Sequence, residues 1–197
     1  MKKYFLITFL TTLFFIACKS TPQINSDINI QTEVPEQTST ESKKTDDSKP
    51  RDQITLLFTG DIMAHSVNYQ ISSYSKIYKD IKFYLDQADL TFANLEAPVD
   101  TTKPASSYPN FNMTEKYLQA AIDAGFDVFS LCNNHTNDQF QSGILETIKT
   151  TKKIIDKTEN QGEKVYFSGI KESPEAAFTY NIIENHGWKI LFLPVTE

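Results

Sequence analysis

Four short apolar runs, alternating with stretches of helical spacing, restrict this chain more than any other feature of its sequence. Ile54-Thr55-Leu56-Leu57-Phe58-Thr59, closed by Gly60, reads as a strand buried on both faces. Lys76 to Asp86 then places Ile77, Ile81 and Leu85 four apart, a helical stripe. Leu90-Thr91-Phe92-Ala93 is a second strand. Thr114 can cap a helix in which Tyr117, Leu118, Ala121 and Ile122 share a face, and Gly125 is placed to end it. Val128-Phe129-Ser130-Leu131 is a third strand. Ser142 to Ile155 repeats the helical spacing through Ile144, Leu145, Ile148 and Ile154, and Val165-Tyr166-Phe167 is a fourth strand. This alternation predicts an α/β fold with a mostly parallel sheet covered by helices, whose ligands gather at the carboxyl ends of the strands. Ala177 to Leu193 carries two apolar runs around Glu184-Asn185-His186-Gly187, the pattern of a hairpin.

Polar clusters follow the first three strands: Gly60-Asp61-Ile62-Met63-Ala64-His65, Asn94-Leu95-Glu96, and Asn133-Asn134-His135-Thr136-Asn137-Asp138. One strand and helix unit separates each from the next, so parallel strands bring Asp61, Glu96 and Asn134-His135 to one crevice. Carboxylate, amide and imidazole donors suit Mn, Mg, Fe or Zn, and two such ions clamp the attacking and leaving oxygens of a displacement. Taken singly, Asp61, Asn94 and Asn133 read equally well as residues that end strands and cap helices. Three clusters at successive strand ends favour a metal-assisted hydrolase.

The amino terminus reads as an address. Met1-Lys2-Lys3 is basic, and Tyr4 to Ile16 carries no charge but is shorter than the roughly 20 residues that span a bilayer. Residues 1–17 are therefore expected to be a signal peptide. Ala17-Cys18 resembles the lipobox of bacterial lipoproteins, which implies lipidation of Cys18, anchorage to a bacterial membrane and an extracytoplasmic location in the cell envelope; an ordinary secretory peptide with an incidental Cys18 is the alternative. Residues 18–52 are polar, contain Pro22, Pro35 and Pro50 and lack aromatics, so they read as a flexible linker. A coil of that length reaches about 30 Å. The folded domain is expected over residues 53–197. With 19 Lys plus Arg against 25 Asp plus Glu, a net charge of -6 and scattered lysines, the chain lacks the basic face that nucleic-acid binding requires. Two cysteines cannot form a dense disulfide framework, so the fold rests on a core or on bound metal.

Several of these segments carry a resemblance. Leu57-Phe58-Thr59-Gly60-Asp61-Ile62-Met63-Ala64-His65, Ala88-Asp89-Leu90 with Ala93-Asn94-Leu95-Glu96, Tyr108-Pro109-Asn110-Phe111, and Ala124-Gly125-Phe126-Asp127-Val128 leading into Asn133-Asn134-His135 and Asp138 are similar to the bacterial CapA family. That family, of capsule or poly-γ-glutamate synthesis, lies within the calcineurin-like metallophosphoesterase superfamily. The resemblance covers roughly Ile54 to Leu193. It implies a four-layer α-β-β-α sandwich, of which this chain is the amino-terminal portion, with one or two divalent metal ions at the strand ends. Asp61 resembles the first metal-binding aspartate, Glu96 the carboxylate that bridges or approaches a second metal, Asn134 the metal-binding asparagine, and His135 the catalytic histidine. Asn94 and Asp138 are implied as supporting residues. The wider superfamily has Asp-x-His after its first strand, whereas Met63 stands at that position here and the histidine is His65, which is either a metal ligand or a residue behind the ligands. Implied partners are an anionic extracellular polymer or its precursor and other capsule-synthesis proteins.

The family continues beyond the hairpin with further ligand loops, and this chain ends at Glu197, so the expectation is a fragment, a truncated product or a degenerate member. Two readings follow: a metal-dependent hydrolase or transferase of the envelope, or a non-catalytic envelope protein that keeps the fold for binding or to assist export. Cys132 is expected as a small buried apolar residue rather than a nucleophile, and His186 as a solvated turn residue. Trp188 and the tyrosines Tyr69, Tyr74, Tyr78 and Tyr84 are assigned no role. The anchor is tested by Cys18→Ser: the variant should leave the membrane fraction or remain unprocessed, and an unchanged membrane fraction and mass would refute lipidation.

Overall fold

The computed structural model describes residues 47–196. The signal peptide, Cys18 and most of the linker lie outside the described residues. In chain order the elements are β1 (Leu56–Ile62), α1 (Ser66–Tyr69), α2 (Ser75–Tyr78), α3 (Lys82–Leu85), β2 (Leu90–Leu95), α4 (Glu115–Ala124), β3 (Val128–Ser130), α5 (Phe140–Asn160), β4 (Tyr166–Ser168), β5 (Asn181–Asn185) and β6 (Trp188–Phe192). The first four strands form one parallel sheet in the order β1-β2-β3-β4, and β5 pairs with β6 as an antiparallel hairpin. The α/β class and the parallel sheet are as expected from the alternation. Among the described residues no helix is long and apolar enough to cross a membrane.

The central strands feed two cores because successive side chains leave a strand on opposite faces. Ala93, Leu95 and Phe129 join Leu118, Ala121, Phe126 and Ile154 in a core beneath the helices, while Leu90, Phe92 and Val128 join Ile183, Ile190 and Phe192 of the hairpin. The rings of Phe92 and Phe192 meet edge to face at 5.5 Å. The described part of the sandwich is thus a helical layer, a four-stranded sheet and a two-stranded sheet on the opposite face.

Local chemistry accounts for most of the boundaries. Thr114 caps α4 by accepting from the Tyr117 N–H at 3.2 Å, and Gly125 ends it in the left-handed conformation at φ 113°; a cap of this kind contributes about 1 kcal/mol. The stripe over Lys76 to Asp86 does not form one helix. It breaks into the single turns α2 and α3, whose junction is held by three-residue bonds such as Ile81 N–H to the Tyr78 carbonyl. The break places Tyr78 and Leu85 in the core and leaves Ile81 exposed. Gly60 does not close β1. The strand runs on to Ile62, and the register slips by one residue between Phe58, opposite Phe92, and Asp61, opposite Asn94.

His186 corrects a third expectation. It stands in the two-residue turn of the hairpin, at φ 48° beside Gly187 at φ 82°, the conformation that favours glycine and matches the twist of paired strands. It is only 3% exposed, because residues 47–51 cross over it. His186 N–H donates to the Asp47 carbonyl at 2.8 Å, Arg51 N–H to the His186 carbonyl at 3.0 Å, and the Trp188 indole N–H to the Arg51 carbonyl at 3.0 Å. His186 Nδ1 donates to the Lys49 carbonyl at 3.1 Å, and Arg51 pairs with Asp89. The strap shields His186 from solvent.

Asp127, immediately before β3, accepts from the Thr91 N–H at 2.8 Å. Burial pushes its carboxyl up to about 7, helped by the charges of Asp47 and Glu163 and opposed by the Thr91 bond. A folded-state value above the unfolded one, near 3.9, means that the native protein binds the extra proton between about pH 4 and 7 and loses stability as pH rises through that window. Asp127→Asn keeps an acceptor for Thr91 and removes the titration. In thermal unfolding, the melting temperature of the variant relative to the parent should rise from pH 5 to pH 7.5; a constant difference would refute the assignment.

Candidate functional site

The register of the sheet sets the carboxyl ends of β1, β2 and β3 side by side, with Asp61 opposite Asn94 and Asn94 opposite Ser130. The one-residue slip in β1 matters here. Without it Asp61 would pair with Leu95 and share the face that packs under the helices; with it, Ile62 takes that place and Asp61 comes to the side of Asn94.

Asn94 links the two carboxylates. Its Nδ2 donates to Asp61 Oδ1 at 2.9 Å and to Glu96 Oε2 at 3.1 Å. Glu96 is buried, 9% exposed, whereas Asp61 is open to solvent. That difference separates their protonation. Burial, followed by the hydrogen bond and charge of Asp61, pushes the Glu96 carboxyl up to about 7, while the Asn94 bond and then the bond with Glu96 hold Asp61 below the usual carboxylate range. Two carboxylates this close favour holding one proton between them.

His135 approaches the same point from the loop after β3. Its Nδ1 lies 2.8 Å from Asp138 Oδ2, and its Nε2 lies 3.9 Å from Glu96 Oε1. A carboxylate can only accept, so Asp138 holds the proton on Nδ1 and leaves Nε2 turned toward Glu96. Asp138 Oδ2 also accepts from the Phe111 N–H at 2.7 Å. The buried Phe111 ring meets both imidazoles edge to face at 4.8 Å, His65 on one contact and His135 on the other. His65 itself is exposed, with Nδ1 3.3 Å from Ser107 Oγ, so it sits at the rim through Phe111 rather than on a carboxylate.

Of the residues singled out from sequence, Asp61, Asn94, Glu96, His135 and Asp138 form one connected cluster, His65 adjoins it through Phe111, and Asn134 is exposed in the loop. Its neighbour Asn133 takes the inward place. Asn133 Nδ2 donates to Asn94 Oδ1 at 3.1 Å and to the Leu95 carbonyl at 3.0 Å, and its Oδ1 accepts from the His135 N–H at 3.0 Å. Adjacent asparagines carry no periodicity to tell them apart. Phe111 stands in sequence only as the last residue of Tyr108-Pro109-Asn110-Phe111, and nothing in a sequence shows a ring between two distant histidines. Cys132 is half-buried, its thiol donates to the Gly169 carbonyl, and burial pushes it up. It belongs to the wall of the loop and not to the cluster.

Asp61 and Glu96 meet at the Asn94 amide, and a divalent ion placed between them would neutralise both. Among the described residues no group of three or more His, Cys, Asp or Glu side chains is arranged to hold an ion by itself. Asp61 and Glu96 are thus at most a partial ligand set, and not a closed three- or four-ligand site.

Comparison with known proteins adds the lineage. Capsule biosynthesis protein CapA of Bacillus anthracis is 29% identical over 112 residues, which cover 53% of this chain and 27% of that protein. The chain thus spans about a quarter of the length of the curated relative it matches. The family described as bacterial capsule synthesis protein PGA_cap matches residues 55–197, from the first strand through the helices, the site loops and the hairpin. With that match covering nearly all of the folded residues, the chain belongs to the PGA_cap family of bacterial capsule synthesis proteins.

Proposed function

We propose that this chain carries the Asp61–Glu96–His135 portion of a divalent-cation-dependent hydrolase or transferase site that serves capsule or poly-γ-glutamate biosynthesis. The observation that carries the reading is the meeting of two carboxylates and an aspartate-oriented imidazole at the carboxyl ends of three parallel strands, where α/β folds place their chemistry. Asp61 and Glu96 would hold the cation. Bound there, a divalent ion would polarise the reacting bond or lower the pKa of a water molecule. The protein's own part is orientation and proton handling. Asp138 holds the Nδ1 proton of His135, so Nε2 is the atom that gives or takes a proton at the reacting group. Phe111 stops the ring from turning away, and its N–H fixes the Asp138 carboxylate.

An acidic pocket repels an anionic polymer, and the cation offsets that repulsion as well as serving chemistry. The envelope setting belongs to the same reading: a lipid on Cys18 would hold the protein at the extracytoplasmic face of a bacterial membrane, where an anionic polymer or its precursor and other capsule-synthesis proteins are at hand. Relatedness to CapA, whose name states capsule biosynthesis, supports the pathway. A binding or export-assisting role without catalysis is the alternative, and metal dependence separates the two.

Titration calorimetry with manganese and with zinc, alongside phosphoester and poly-γ-glutamate hydrolysis assays, tests the reading. The 197-residue chain should bind one ion weakly, with little turnover by itself, and Asp61→Ala should weaken binding at least tenfold. His135→Ala should leave metal affinity within about threefold and remove whatever turnover is measured. Binding that ignores Asp61, or no binding at all, would end the cation-site reading.

A further inference from the structure

The bonds around Asn133 determine more than its own placement. An amide side chain can be turned over to exchange its oxygen and its nitrogen, and its partners alone decide which way it sits. Two partners of Asn133 are backbone groups with one role each. The His135 N–H only donates and the Leu95 carbonyl only accepts, and each lies 3.0 Å from a different end of the amide. The oxygen of Asn133 must therefore face His135, and its nitrogen must face Leu95. That nitrogen has a second hydrogen, directed at Asn94 across 3.1 Å, so the Asn94 atom that receives it must be the oxygen. The nitrogen of Asn94 is consequently turned to the carboxylates, 2.9 Å from Asp61 Oδ1 and 3.1 Å from Glu96 Oε2. Each step leaves no alternative, because the reverse setting would put an oxygen against an oxygen or an N–H against an N–H.

We propose that Asn133 is a positioning residue that sets the rotation of the Asn94 amide, making Asn94 a double donor that draws Asp61 and Glu96 together and withholding the Asn94 oxygen from metal. Two obligatory backbone groups, one on β2 and one in the loop after β3, are in this way read out through two amides as the spacing of two carboxylates, Asp61 on β1 and Glu96 just past β2. The effect on metal rests on the cation-site reading given above; the rotation of Asn94 does not.

The test separates these two layers. In the 15N-labelled chain without metal, the Asn94 side-chain amide protons, identified by their loss in Asn94→Ala, should exchange slowly with solvent. In Asn133→Ala they should exchange at least tenfold faster. If Asn133→Ala does not fold, Asn133→Asp replaces it: it keeps the shape and the bond from the His135 N–H but offers Asn94 only an oxygen, so the Asn94 amide turns over and its protons leave the carboxylates. Asn94 signals unchanged in shift and exchange overturn the proposal, whatever metal does.

The second layer is a mutant cycle on manganese affinity, with thermal unfolding followed in each variant. Asn133→Ala should change the affinity about tenfold in the parent and less than twofold when Asn94 is already alanine. An equal change in both backgrounds shows that Asn133 acts only by holding its loop, and overturns the proposal. Absence of manganese binding in the parent overturns the cation-site reading instead, and the amide exchange then decides this one.

Discussion

A parallel strand covered on both faces can show polar side chains only at its ends, and β2 is such a strand. Leu90 and Phe92 are taken by the hairpin core and Ala93 and Leu95 by the helical core, so Asn94 near its end and Glu96 just past it are the first side chains there with a polar use. Everything else in the site is arranged around that strand end. The parallel register lines up β1 and β3 beside it, and the extra residue in β1 turns Asp61 to meet Asn94 instead of the core. A slip of a single residue decides whether a carboxylate serves a site or burdens a core.

The cluster is also an electrostatic argument. Desolvation raises Glu96 and close carboxylate contact separates it from Asp61, yet the fold tolerates the pair because the Asn94 amide donates to both. Donors from a neutral amide offset part of the repulsion, and a proton or a cation offsets the rest. The histidine is oriented by a different device: Asp138, itself held by the Phe111 N–H, locks its ring from the side away from Glu96. Two independent loops, one after β3 and one between β2 and α4, thus converge on a single imidazole.

Much of this was legible in the residues. Alternating apolar runs gave the sheet, and polar clusters after three of them gave Asp61, Asn94, Glu96, His135 and Asp138, because parallel order makes strand ends neighbours. What stayed illegible has physical causes. Gly60 looks like a terminator, but the pairing of β1 with β2 carries the strand through it with an added residue. Between Lys76 and Asp86 the apolar spacing is helical, yet burial of Tyr78 and Leu85 is better served by two separate turns. Asn133 and Asn134 are chemically identical neighbours, and only their three-dimensional partners tell them apart. His186 looked solvated because the strap that covers it comes from residues some 140 positions earlier, beyond the range of any local pattern.

That strap has a mechanical meaning. Residues 47–51 join the domain at the hairpin turn and not at β1, through backbone bonds to His186, the Trp188 indole and the Arg51–Asp89 pair. Tension applied to the chain ahead of Asp47 is therefore borne first by this short patch. The bonds there must part before any pull reaches Leu56 and the strand that carries Asp61. How long the domain withstands a steady force is set by the rate at which that patch opens, so the strand edge that carries Asp61 is insulated from a pull on the preceding chain by a sacrificial seam of bonds at the hairpin turn.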